Sequence, residues 1–167
     1  MTRTTKQKYL VKFIVNNLKE EEEMIKVAKK EAKWLKKGGY FFTLPKKGRK
    51  IHYEPEDYLK KTKKIEKQWR KQEKQFFSAL ETFFGRKFRG KVKAHITKYG
   101  SGGKYFLPGY IVININSPFN PIATAQHEIL HLFVEPFIRK YKIRQEEKEK
   151  LVCCLVDLFK RALYRRR

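Results

Sequence analysis

The chain has 167 residues, a length that suits one domain with an appendage, and its 41% hydrophobic and 14% aromatic content is enough for a core. It contains no run of 18 apolar residues to cross a bilayer, and its polar, basic N-terminus lacks the apolar middle of a secretory signal. These features argue against membrane-spanning and secreted classes and give a cytoplasmic protein as the expectation.

Net charge is +24, and it is spread evenly. Residues 1–84 carry 23 Lys+Arg against 11 Asp+Glu, and residues 85–167 carry 18 against 6, so each half contributes +12. Lysine outnumbers arginine 30 to 11, whereas bidentate phosphate and guanine contacts favour arginine. The expectation is a cation-rich surface that sticks to polyanions such as nucleic acid without reading sequence. Cys153 and Cys154 are adjacent, form no C-x-x-C pair, and read as small core residues of a reducing compartment.

Taken in order, residues 1–13 read as polar and frayed, and a helical pattern runs from about Tyr9 to Lys37, where Gly38-Gly39 stops it. Its acidic run, Glu20 to Glu23, reads as a solvated face. Tyr40 to Leu44 and Ile51 to Tyr53 read as two strands of a hairpin turned by Pro45-Lys46-Lys47-Gly48, with His52 as a stray polar residue. Glu54-Pro55-Glu56-Asp57 starts a second helix that reaches Phe84 and closes at Gly85. A strand is expected around Phe88 to Ile96, then a loop from Tyr99 to Pro108, then a strand from Gly109 to Asn116 with Ile111, Ile113 and Ile115 facing the core. The glycine loop lacks G-x-x-x-x-G-K-[ST] and is not a phosphate cradle.

The segment with the most chemistry is His127-Glu128-Ile129-Leu130-His131. Asn120 as N-cap and Pro121 at the first helical position set it on a helix over 121–135, which Pro136 ends or kinks. On a helix, residues four apart lie on one face, so His127 and His131 can aim two imidazoles at one metal ion. Glu128, about 100° around the helix, can reach a water on that ion and take its proton. A catalytic zinc site usually has a third protein ligand. Glu135 is disfavoured, because it lies about 12 Å along the axis from His127. A last helix over about 145–164 offers Glu149, the preferred ligand, with Glu147 as the alternative and His95 and His52 behind them. Asp157 is placed to orient a histidine. Tyr99, Tyr105, Tyr110 and His95 are candidates for stabilising an oxyanion.

A strand before an HExxH helix, followed by a helix that brings a glutamate about 18 residues later, resembles the gluzincin metallopeptidases, and the size is similar to their minimal members, the minigluzincins. The resemblance covers roughly residues 86–160. It implies an α+β, zincin-like fold, with a small, mostly antiparallel sheet on the HExxH helix and a C-terminal glutamate-bearing helix. It implies a Zn2+ cofactor held by His127, His131 and Glu149, with Glu128 as general base, and a peptide substrate lying extended along a strand. The strand at 109–116 is the expected partner of that substrate. Gluzincins commonly carry an Asp one turn after the ligand Glu; here that position is Cys153. Residues 1–85 carry no motif of the family and read as an N-terminal helical and hairpin region, either a lid, an inhibitory segment or part of the core, beside a catalytic region at 86–167.

Overall fold

The computed structural model describes residues 10–47, 51–88 and 90–164. The frayed residues 1–9, Gly48 of the expected hairpin turn, Arg89 of the expected strand and the Arg165 to Arg167 tail lie outside the described residues.

β-branched and aromatic residues in short runs build a four-stranded sheet. Val11–Val15 (β1) pairs in parallel with Val92–Thr97 (β3), which pairs in parallel with Tyr110–Asn114 (β6). Gly103–Phe106 (β5) adds antiparallel to β6, giving the order β1-β3-β6-β5. Phe42–Thr43 (β2) and Gly100–Ser101 (β4) form a separate two-stranded ribbon. The α+β class stands, but the sheet is mixed rather than mostly antiparallel, with two of its three pairings parallel.

Helix Leu18–Lys37 (α1) packs against the β2–β4 ribbon. Its N-terminus is closed by a capping box, in which Asn17 accepts from the Glu20 amide and the Glu20 carboxylate accepts from the Asn17 amide. Helices Pro55–Arg70 (α2), Glu73–Phe84 (α3), Pro121–Lys140 (α4) and Gln145–Tyr164 (α5) form a layer on one face of the four-stranded sheet. Ala94, Ile96, Ile111 and Ile113 point into this second layer and share one core with Trp69, Phe76, Ile129 and Val152. β1 is a strand of the same sheet, and α2 and α3 fill the same core as α4, so the residues before 85 and those after it do not have separate cores.

Several sequence expectations change. The pattern from Tyr9 gives a strand first and a helix only from Leu18, because Val11 and Phe13 alternate with exposed Lys12 against β3. The expected 40–54 hairpin does not form among the described residues; β2 pairs with β4 instead. The helix expected from 54 to 84 breaks at Lys71-Gln72, where Gln72 leaves helical geometry (φ −123°, ψ −6°). The break lets buried Glu73 accept from the amides of Leu10 and Val11 at 3.1 and 2.8 Å. Glu21 is not solvated: its buried carboxylate accepts from Asn16 Nδ2 (2.9 Å), Tyr58 OH (2.9 Å) and the Lys98 amide (3.2 Å). Cys153 and Cys154 are exposed rather than core residues. No helix among the described residues is long and apolar enough to cross a membrane.

Candidate metal centre

Helix α4 begins as its sequence dictates, with Asn120 Oδ1 accepting from the amides of Ile122 (2.8 Å) and Ala123 (3.4 Å) and Pro121 at the first position. It does not end at Pro136 but runs on to Lys140, with Ile138 still buried. Buried Ile129, Leu130 and Phe133 fix its rotation against the core. That rotation turns His127 and His131 toward the first turns of α5, which packs beside α4 and brings Glu149 between them.

The three side chains converge. His127 Nε2 and His131 Nε2 are 3.0 Å apart, and Glu149 Oε2 lies 3.6 Å from the first and 3.4 Å from the second. All three donor atoms fall within 4.8 Å of one another. Bonds of about 2.0–2.1 Å in a tetrahedral arrangement put ligand atoms about 3.3–3.4 Å apart. The spacing of these atoms therefore suits one ion, and the donor set of two imidazoles and a carboxylate could hold a metal. Their other contacts orient them. Glu149 Oε1 accepts from Gln145 Nε2 at 2.8 Å, which leaves Oε2 to face the histidines. Glu147 is exposed and paired with Arg144 at 2.8 Å, outside the cluster. His52, exposed and paired with Glu54 at 2.9 Å, is also outside it.

The electrostatics favour ligand forms. Burial lowers the His131 pKa, only partly opposed by Glu149, so the ring is held neutral. Burial alone would raise Glu149, but hydrogen bonds from His127 and His131 outweigh it and hold the carboxyl well below the usual range. Glu128 is buried, and desolvation raises its pKa to about 7, with His127 opposing and Glu149 reinforcing the shift. A carboxylate tuned to about neutral pH is suited to exchanging protons.

Glu128 also meets the sheet edge. A Cβ on Gly103 would collide with Glu128 Oε1 and with Thr124 Cγ2, so β5 approaches α4 this closely only because residue 103 is glycine. Two positions on, Tyr105 lies flat against His131, with ring centroids 4.7 Å apart and planes 5° from parallel. Its hydroxyl donates to Glu135 Oε2 (2.7 Å) and accepts from Lys148 Nζ (2.8 Å). Glu135 is thus no ligand; it takes Tyr105 and Arg139, and those bonds outweigh burial to lower its pKa. Buried His131 Nδ1 has no hydrogen-bond partner among the described residues, so Asp157, exposed on α5, does not hold this ring; Tyr105 packs it instead.

His95 and Tyr110 sit on the opposite face of the sheet, their rings 4.4 Å apart and tilted by 31°, with His95 Nδ1 2.9 Å from Asn16 Oδ1. Neither lines the cleft. The cleft above His127, His131 and Glu149 encloses about 1230 Å³ and is walled by β5, α4, α5 and, from the N-terminal part, Glu31, Trp34, Tyr40 and Phe41. Lys104 of β5 pairs with Glu31 of α1 across its wall.

Comparison with known protein families, characterised proteins and solved structures finds no match to this chain. The functional reading therefore stands on the centre itself. β5, the strand that carries Gly103 and Tyr105, falls in the stretch whose sequence predicts a loop; the alternation of Gly103 and Tyr105 with Lys104 and Phe106 is its one strand signal. Strand addition to 109–116 is excluded, because β6 is paired on both sides and β5 is the outer strand.

Proposed function

We propose that the protein is a zinc-dependent metallopeptidase of the gluzincin type. The observation that carries this reading is the convergence of His127, His131 and Glu149 within 4.8 Å, beside a buried carboxylate whose pKa is pushed to about 7. Two nitrogens and one oxygen at tetrahedral spacing suit Zn2+, and three protein ligands leave a fourth position open. Zinc, when bound, supplies a Lewis acid that acidifies water and polarises a carbonyl.

The chain's own residues do the rest. Glu128 accepts the proton of the attacking water and delivers it to the departing amine as the peptide bond breaks. Its raised pKa makes both transfers accessible near neutral pH. Glu149 and the neutral His131 keep their donor atoms on the ion side of the cleft, the first through Gln145 and the second through Tyr105. β5 has no strand partner on its outer edge among the described residues, and an extended substrate adds there as a further strand, antiparallel or parallel. α1 and the Tyr40-Phe41 segment form a wall of the cleft, so the N-terminal part shapes the substrate path.

The test is cleavage of a mixed fluorogenic peptide library by zinc-loaded protein, with Glu128→Gln as the control. The reading expects cleavage by the wild type and a loss of at least about a thousandfold in Glu128→Gln with zinc retained, in the range general-base removal produces. Equal rates in the two proteins would remove Glu128 from the mechanism, and no cleavage of any peptide would remove the peptidase.

A further inference from the structure

Helix α2 carries its charge in one place. Tyr58, Thr62, Ile65 and Trp69 are buried against the core, and they repeat at three- and four-residue spacing. Lys60, Lys63, Lys64, Lys67 and Lys71 repeat at the same spacing and are all exposed. At about 100° per residue the two sets centre roughly 180° apart, so the five lysines form one outward stripe. The acids of this helix do not neutralise it. Asp57 is taken by Lys61 (3.3 Å) and Lys98 (2.7 Å), and Glu66 by Arg70 (2.6 Å). Glu56 lies one turn before Lys60, at the helix start. None of the five lysines makes an ion pair with a described residue.

We propose that the outer face of α2 is a second binding surface, separate from the metal centre, that takes the phosphate backbone of a nucleic-acid duplex. From Lys60 to Lys71 the stripe is about 16 Å long at 1.5 Å per residue. One strand of a duplex presents a phosphate about every 3.4 Å of axis, so the stripe spans about five phosphates. The aromatic residues of α2, Tyr58 and Trp69, are buried. The surface therefore has no ring on which an unpaired base can stack, which disfavours single strands. Leu59 is the one large apolar residue exposed on α2, so the helix lacks the apolar flank with which an interfacial helix enters a membrane. Lysine rather than arginine supplies point charges without base readout, so binding is indifferent to sequence. No α2 residue lines the cleft, so a duplex and a cleft ligand bind together.

The experiment is fluorescence anisotropy of a random-sequence 20-base-pair DNA duplex over a salt series, with the full chain. One variant carries Lys60→Gln, Lys63→Gln, Lys64→Gln, Lys67→Gln and Lys71→Gln. A charge-matched control carries Lys19→Gln, Lys29→Gln, Lys33→Gln, Lys36→Gln and Lys37→Gln on α1, all exposed as well. Unchanged circular dichroism and melting temperature establish that both are folded. With about 0.9 per phosphate contact, the slope of log K against log salt falls by about 4 to 5 in the α2 variant and by less than about 1 in the control. Equal losses in the two variants, or no loss in the α2 variant, would overturn the proposal. So would wild-type binding to phosphatidylserine vesicles at a salt concentration where the duplex is not bound.

Discussion

The ring of Tyr105 lies 4.7 Å from that of His131 and 5° from parallel to it, and this contact takes the place of a hydrogen bond to the buried His131 Nδ1. Outer partners of a metal-ligating histidine usually hold it by its second nitrogen. In the proposed centre a strand residue holds His131 by its face, and Glu135 and Lys148 in turn hold the phenol. The edge strand, α4 and α5 are thereby tied together behind the centre.

Replacing Tyr105 separates these parts. Tyr105→Phe keeps the stacked ring and releases Glu135 and Lys148, so zinc affinity changes by less than about tenfold. Tyr105→Ala removes the stack and weakens zinc by roughly 10–100-fold, the range seen when outer-shell support is lost. Competition with a chelating dye measures both. Equal affinity in Tyr105→Ala and wild type would show that the stack does not orient His131.

Gly103 makes room for Glu128. In Gly103→Ala the new methyl meets Glu128 Oε1 and sits 2.6 Å from Thr124 Cγ2, so β5 or Glu128 must shift. The expected cost is about 1–3 kcal/mol of stability, as for overpacking. Zinc content stays near that of wild type while peptide cleavage falls at least about tenfold, since a displacement of 1 Å is enough to disturb a reacting geometry. Unchanged cleavage rates in Gly103→Ala would show that the contact has no part in placing Glu128.

On the opposite face, His95 couples stability to pH. Burial lowers its pKa from 6.5, with Glu20 opposing and Lys93 reinforcing the shift. The unfolded chain thus binds a proton more readily than the folded one, and unfolding takes up a proton in the window from about pH 6.5 down to the lowered folded pKa. His95 contributes a loss of stability as pH falls through that window and no change above it. Melting temperatures at pH 7.5 and 5.0 measure this as the difference between wild type and His95→Gln. The drop on acidification is smaller in His95→Gln; an equal drop would place the dependence on other groups.

Helix α4 is legible in the sequence because its signals are local: Asn120-Pro121 opens it, and the His spacing needs only the helical repeat. Glu149 was legible through its flanking of the Val152 and Leu155 stripe, which fixes which side of α5 turns inward. What the sequence concealed depends on distant partners. β5 reads as loop because Gly102, Gly103 and Pro108 are turn residues, and only pairing with β6 makes it a strand. The break at Lys71-Gln72 has no Gly or Pro to announce it; it is set by Glu73 reaching the amides of Leu10 and Val11, more than 60 residues away. Glu21 stands in an acidic run yet is buried, because Asn16, Tyr58 and Lys98 meet it there.

If His127, His131 and Glu149 hold one zinc ion, as proposed, the metal content of purified protein shows it. Wild type, His127→Ala and Glu149→Ala are purified with zinc supplied throughout and measured by atomic emission. About one zinc per chain is expected in wild type and its loss in both variants, since removing one of three ligands leaves too few to hold the ion. Zinc retained in Glu149→Ala would contradict the three-ligand centre, and absence of zinc from wild type would contradict the centre altogether.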